Sequence, residues 1–160
     1  MAHRNSPTVG KGFFMASLIL AQANTIIDAA IAEGRRMCLS PLGVAVLDTG
    51  GNLIVFKRED GAGFLRFDIA YGKAWGALGL GFCSRELAER AAKLPIFYAS
   101  LAAASQGRMI LSPGGVLIIG VDGDVIGAVG ISGDLGDQDE ACALAGIQAA
   151  GLSAVPRSKG

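Results

Sequence analysis

The chain has 160 residues, the size of one domain, and this length buries enough apolar surface to fold without a disulfide or a metal. Apolar residues make up 51% of it, and 14 lysines and arginines balance 14 aspartates and glutamates. This composition excludes a disordered chain, and the lack of a basic excess argues against a nucleic-acid partner.

Helices and strands can be predicted in chain order from apolar spacing and from the positions of glycine and proline. Helices are predicted at 18–35 (capped by Ser17), 66–83, 85–93 (capped by Ser84), 96–105 and 137–152. Strands are predicted at 42–48, 52–58, 108–111, 116–121 and 125–131. Strands joined by tight turns are antiparallel, so the order predicts an α+β fold with helices over the faces of the sheet. Residues 1–17 are interpreted as an extension, 18–152 as one domain and 153–160 as a frayed tail.

Two features bear on the cellular compartment. The cysteines are odd in number and form no CxxC pair, which argues against a thiolate zinc site and a disulfide framework and favours a reducing cytoplasm. An apolar run covers residues 12–21, and residues 21–23 resemble a signal-peptidase site. Secretion is therefore the alternative to a cytoplasmic location. Helical periodicity that continues past this point favours a cytoplasmic domain helix. No run reaches the length of a membrane span, so no membrane partner is predicted.

The first candidate ligand-binding segment is the charged run at 57–62, which follows the second predicted strand. Arginine binds carboxylates through two parallel donors, so this loop could present Arg58 to a ligand, with Asp60 holding it and Gly61 in the turn. The alternative is an ordinary solvated turn.

The second candidate is Lys73, the only charged residue between Asp68 and Arg85. A lysine on such an apolar helix extends its ammonium to solvent, lines a pocket as a base or anion clamp, or forms a structural ion pair. A pocket lysine predicts that Lys73→Met leaves stability nearly unchanged, whereas an ion pair predicts clear destabilisation.

Two glycine-bearing turns are the third and fourth candidates. Such turns either reverse the chain or bring backbone N–H groups close to a ligand. The ligand-binding candidates in and beside them are Gly114, Gly115, Ser132, Gly133 and Asp139. The acids that open the last predicted helix suit helix caps or cation ligands, but their spacing matches no calcium loop, and no ATP or NAD signature is present.

Histidine is informative because the only one, His3, lies in the extension. The domain therefore lacks the residue that Ser-His-Asp, Cys-His, catalytic zinc and proximal haem sites normally use. No metal site is predicted.

Together, these motifs resemble the GlcG/HbpS-like family, also called the haem-degrading domain and found as the C-terminal domain of PduO-type corrinoid adenosyltransferases. The matching segments are VAVLDTGGNL at 44–53, REDGA at 58–62, KA at 73–74, PGGV at 113–116, GAVGISG at 127–133, QDE at 138–140 and AG at 145–146. The resemblance covers residues 18–152. It implies a profilin-like fold with a five-stranded antiparallel sheet, a homo-oligomer, and in some members haem binding or a role in glycolate, diol or aromatic catabolism.

We therefore expect an oligomeric small-ligand-binding protein, with haem or another anionic small molecule in one pocket per subunit. One alternative is a small cofactor-independent enzyme, an isomerase, deaminase or hydrolase acting on an acidic catabolic intermediate with Lys73 or Glu140 as acid or base. Another is a non-catalytic partner subunit. The cofactor stays open, because haem in this histidine-free domain would need another iron ligand. The candidates for that ligand are Cys38, Cys142, Met37 and Met109.

Overall fold

The computed structural model describes residues 17–155, which form five helices and one five-stranded sheet. The helices are α1 (Leu20–Arg36), α2 (Arg66–Leu80), α3 (Ser84–Lys93), α4 (Pro95–Ala104) and α5 (Gly136–Ala149). The strands are β1 (Gly43–Leu47), β2 (Leu53–Arg58), β3 (Gly115–Ile119), β4 (Val125–Ser132) and β5 (Ser153–Ala154). Their order in the sheet is β2-β1-β4-β3-β5, and every neighbouring pair is antiparallel. The α+β prediction is confirmed.

The fifth strand is not the one that the sequence predicts. Residues 108–111 lie outside the sheet, where the Ile110 N–H donates to the Gly72 carbonyl of α2 at 3.2 Å. The fifth strand is β5, which pairs with the end of β3 from a segment predicted to be frayed. A two-residue strand is too short to carry an alternating apolar pattern, so no sequence signal distinguishes it from a tail.

The sheet is covered by helices on both faces, as predicted. Val44 and Val46 of β1 belong to the core formed with α1 and α5, whereas Leu47 packs with Ala74 and Ala77 of α2 on the opposite face. Because β1 is covered on both sides, all of its residues are buried, which explains why it reads as a continuous apolar run. None of the helices in residues 17–155 has both the length and the apolar character needed to cross a membrane.

Helix α2 lies unusually close to the sheet because glycines face it. A Cβ on Gly130 of β4 would stand 1.9 Å from the carbonyl oxygen of Ala70, and a Cβ on Gly115 would stand 2.4 Å from that of Lys73. Without side chains at these positions, the helix backbone rests directly on the strands. This close contact brings Lys73 to the end of the sheet where β3 begins and β4 ends.

Both predicted helix caps are wrong. Helix α1 begins at Leu20 rather than after Ser17, and the Ile19 N–H is satisfied by the side chain of Gln22, 3.2 Å away. Ser84 lies inside α3 as its first residue, and its hydroxyl bonds to the chain before β3 instead of to its own helix. The segment 21–23 lies within α1, as predicted.

Candidate functional site

The predicted ligand-binding residues gather at one end of the sheet. Gly43 of β1 lies opposite Arg58 of β2 on one side and opposite Ser132 of β4 on the other. The Gly114–Gly115 turn leads into β3 at the same end. Within this end the residues fall into two groups, one buried around Lys73 and one exposed around Arg58.

The buried group is centred on an ion pair. The Lys73 ammonium donates to Asp139 Oδ2 and to the Ile131 carbonyl, both at 2.8 Å, and the two charged side chains are only 4% and 1% exposed. Burial raises the pKa of Asp139, and the Lys73 charge acts in the opposite direction. The pair joins α2 to α5 across the end of the sheet, so the ion-pair alternative for Lys73 is the one that the structure contains.

The glycine turn before β3 leaves room for this pair. Gly114 has φ +118°, and a Cβ there would lie 3.0 Å from Lys73 Nζ and 2.9 Å from the Cβ of Asp139. The Gly115 N–H, proposed above as a ligand contact, donates to Ser84 Oγ at 2.7 Å. The Ser84 hydroxyl in turn donates to the Ser112 carbonyl at 2.6 Å. This backbone N–H is therefore already bonded within the fold.

Glu140, the second acid–base candidate, is buried on α5 and paired with a residue that the sequence analysis missed. Arg85 of α3 donates through Nε to Glu140 Oε2 at 2.5 Å and also pairs with Asp137. These two carboxylates raise the pKa of the Arg85 guanidinium. No spacing rule joins positions on two helices this far apart in the sequence, so only the fold reveals the partner.

Ser132 and Gly133 connect the end of β4 to Arg66 and to residues 41–42. Ser132 Oγ accepts a hydrogen bond from the Arg66 guanidinium at 3.0 Å. A Cβ on Gly133 would stand 2.7 Å from the Pro41 carbonyl oxygen and 2.5 Å from Leu42 Cδ2. The segment that leads into β1 therefore packs directly on this turn.

The exposed group borders an open cleft between α1 and the end of β2. We call it the Arg58 cleft. Its volume is about 680 Å³, within the range of small-molecule sites. The residues that line it are Asp28, Ile31, Arg35, Lys57, Arg58, Glu59 and Asp60.

Most charges of the Arg58 cleft are paired, but Arg58 is not. Lys57 bonds to Asp28 at 2.5 Å, and Arg35 bonds to Glu59 at 2.9 Å. Within residues 17–155, the Arg58 side chain forms neither a hydrogen bond nor an ion pair, so the predicted pairing with Asp60 is wrong. Its guanidinium is exposed and its donors are available to a ligand.

Exposed apolar side chains stand in the same connection between β2 and α2. Gly61, at φ +84°, turns the chain beside Pro41, and Phe64 and Leu65 follow it. Phe64 is 78% and Leu65 56% exposed, which is unusual for residues of this size. Their signal in the sequence, two large apolar residues between Gly63 and the charged start of α2 at Arg66, was missed.

The candidate iron ligands are scattered. Cys142 is fully buried, and burial raises the pKa of its thiol to about 11. Cys38 is exposed at φ +57°, and Met37 and Met109 are half-buried. None of the four lines the Arg58 cleft. Among the described residues, no cluster of three or more histidines, cysteines or acids could hold a metal ion.

These observations define an antiparallel α+β domain. It has a buried ion pair at one end of its sheet and a charged cleft beside that end. The chain belongs to the HbpS-like family, described as haem-degrading proteins, whose model matches residues 18–148. It is 32% identical over 125 residues to a 15.0 kDa protein from the dhaT-dhaS intergenic region of Citrobacter freundii, covering 78% of this chain and 86% of that protein.

Solved structures similar to this chain support the same family assignment. The crystal structure of a PduOC–haem complex has a TM-score of 0.79 and 26% identity, covering 88% of this chain and 100% of that one. A double mutant of Streptomyces reticuli HbpS has a TM-score of 0.73 and 28% identity, covering 92% of this chain and 97% of that one.

Proposed function

We propose that this chain is a haem-related small-ligand-binding protein whose ligand, haem or another anionic small molecule, is held at the Arg58 cleft. The family description and the haem complex of the similar PduOC structure support a haem-related ligand. Family membership alone does not select a place on the surface, so the location rests on this chain's own side chains.

The observation that carries the location is the Arg58 side chain without a partner, with exposed Phe64 and Leu65 six and seven residues further along the same connection. A guanidinium without a protein partner suits a ligand carboxylate, which it binds through two charge-assisted hydrogen bonds. Exposed aromatic and aliphatic side chains suit a flat apolar body. A porphyrin has both parts, an apolar macrocycle and two propionates, whereas a small polar acid would use only Arg58.

The residues of the cleft fit a porphyrin at its edge and not at its metal. The lining contains no histidine, cysteine or methionine, so these residues offer charge to the propionates and no soft ligand to iron. Haem, when bound, would supply a redox-active iron. Because the lining offers no soft ligand to that iron, we expect metal-free protoporphyrin IX to bind about as tightly as haemin.

The test is a titration of the protein with haemin, followed at the Soret band. Arg58→Gln should weaken binding by about tenfold or more, the scale of one charge-assisted interaction. Arg90→Gln removes the same charge from α3, outside the cleft, and should bind like the wild type. Failure of the wild-type protein to bind either haemin or protoporphyrin IX at micromolar concentration would contradict the proposed function.

A homo-oligomer is the second part of the proposal. The corner between α3 and α4 forms an apolar groove of about 560 Å³ that includes Leu94, Pro95, Ile96 and Phe97. Ile96 is 85% exposed, and large exposed apolar patches commonly mark subunit contacts. Ile96→Asp should therefore dissociate the assembly in light scattering, whereas a wild-type protein that is already monomeric at micromolar concentration would contradict this part. The acid–base enzyme stays an untested prediction.

A further inference from the structure

A continuous series of hydrogen bonds starts at Asp139, the acidic member of the buried ion pair, and leads away from Lys73. Asp139 uses Oδ2 for the lysine and Oδ1 to accept the backbone N–H of Asp134 at 3.1 Å. The Asp134 carboxylate in turn accepts the backbone N–H of Ser40 at 2.9 Å. A buried charge on α5 thus reaches, through one intermediate residue, the segment that leads into β1.

The same short segment is bonded at its other end to Glu59, which lines the Arg58 cleft and forms, together with Arg35, what we call its Glu59 wall. The Leu42 N–H donates to Glu59 Oε2 at 2.9 Å, and the Leu42 carbonyl accepts the Glu59 N–H at the same distance. Glu59 Oε1 holds Arg35, which also lines the cleft. Residues 40–42 are therefore bonded on one side to Asp134 and on the other to Glu59.

Packing restricts any independent movement of this segment. Gly133 leaves no space between β4 and residues 41–42, since even a Cβ there would stand 2.5 Å from Leu42 Cδ2. The two backbone N–H groups that Asp134 accepts, from Ser40 and Leu135, lower the pKa of its carboxyl, so Asp134 stays charged and bonded at neutral pH. A shift of Asp134 must therefore either move Ser40 or break the hydrogen bond between them.

We propose that the Lys73–Asp139 pair positions the Glu59 wall of the Arg58 cleft through Asp134 and residues 40–42, so that Lys73 supports ligand binding without touching the ligand. This inference rests on the proposed function for its binding readout. Its structural part, the coupling of Asp134 to Leu42, stands on the contacts of the folded chain alone. Lys73, Asp139 and Asp134 are positioning residues in this account.

The first experiment measures amide hydrogen exchange without any ligand. Asp134→Ala removes the acceptor for Ser40 and should accelerate exchange of both the Ser40 and the Leu42 amides by about tenfold or more, the scale of one net hydrogen bond. Asp124→Ala changes an exposed acid in the β3–β4 turn and should leave both amides unchanged. Unaltered Leu42 exchange in Asp134→Ala overturns the proposal, whether or not haemin binds.

The second experiment measures haemin affinity for Asp134→Ala, Glu59→Gln and the double variant. Asp134 and Glu59 share no hydrogen bond, so independent sites would give additive losses. The proposal predicts a loss of about fivefold or more for Asp134→Ala and a smaller further loss when Glu59 is already changed. Wild-type affinity in Asp134→Ala overturns the positioning role, as does strict additivity. Absence of haemin binding in the wild type contradicts the proposed function instead, and the exchange experiment then decides this inference.

A third variant tests whether the buried pair acts on residues 40–42 through Asp134. Lys73→Met combined with Asp139→Leu replaces the pair by apolar groups but still removes the acceptor for Asp134. We expect this variant to accelerate Leu42 exchange as Asp134→Ala does, and adding Asp134→Ala to it should accelerate exchange no further. A further, independent acceleration would show that the buried pair does not act through Asp134.

Discussion

Two lysine–aspartate pairs in this molecule have the same chemistry and opposite surroundings. Lys73 and Asp139 are 2.8 Å apart with side chains 4% and 1% exposed, whereas Lys57 and Asp28 are 2.5 Å apart with side chains 42% and 63% exposed. Removing one partner of a buried pair leaves an uncompensated charge, but water replaces a lost partner at the surface. The difference indicates that the interior pair contributes to the fold far more than the exposed pair does.

The largest expected effect on stability comes from removing the charge of Lys73, the buried cation. Lys73→Met should destabilise the protein by about 3–5 kcal/mol, because Asp139 remains buried without its partner. Equilibrium denaturation measures the loss, and adding Asp139→Leu should recover most of it. A Lys73→Met protein as stable as the wild type would contradict the ion-pair account and restore the pocket-lysine interpretation.

Burial also separates two cysteines, which extends the comparison to reactivity. Burial raises the pKa of the Cys142 thiol to about 11, so much less of it is thiolate at pH 8 than of an ordinary exposed thiol. Iodoacetamide should therefore modify exposed Cys38 at pH 8, whereas Cys142 should stay unmodified in the folded protein and react only after the protein is unfolded. Mass spectrometry of peptides checks the order, and modification of Cys142 before Cys38 would contradict it.

The third test disturbs the buried pair without removing a charge. Gly114→Ala places a Cβ 3.0 Å from Lys73 Nζ and imposes φ +118° on a residue with a side chain. Backbone strain of this kind costs roughly 1–3 kcal/mol, so the variant should be clearly less stable in denaturation. Gly123→Ala in the β3–β4 turn also has positive φ but meets no atom within 4 Å, so it should cost less. Equal losses would show that the contact with the pair contributes nothing.

The smallest expected effect is that of the exposed pair. Lys57→Met should change stability by about 0.2–1 kcal/mol, the range measured for solvent-exposed pairs, and the change should shrink further in high salt. Denaturation at low and high ionic strength checks both statements. A loss as large as that of Lys73→Met would remove the distinction between the two pairs.

Much of the fold could be predicted because its signals are local. The apolar runs of β1, β3 and β4 identified these strands, and the antiparallel arrangement followed from short connections between strands. Strand β5 could not be predicted, because its two residues are defined by pairing with β3 and not by their own pattern.

The candidate site was predictable as a set of positions but not as a set of contacts. Sequence pattern placed Lys73 on an apolar helix, and it could not choose between a pocket and an ion pair, because Asp139 is far along the chain. Arg85 was missed for the same reason. Arg58 was selected from its charge and turn residues alone, yet the expected partner Asp60 does not hold it.

A crystal structure of the protein with haemin bound tests the central claim most directly. The account predicts a propionate oxygen within about 2.7–3.2 Å of the Arg58 guanidinium, with the macrocycle against Phe64 or Leu65 and Lys73 still bonded to Asp139. A haem with both propionates away from Arg58, or one held by Lys73 after its separation from Asp139, would contradict the account.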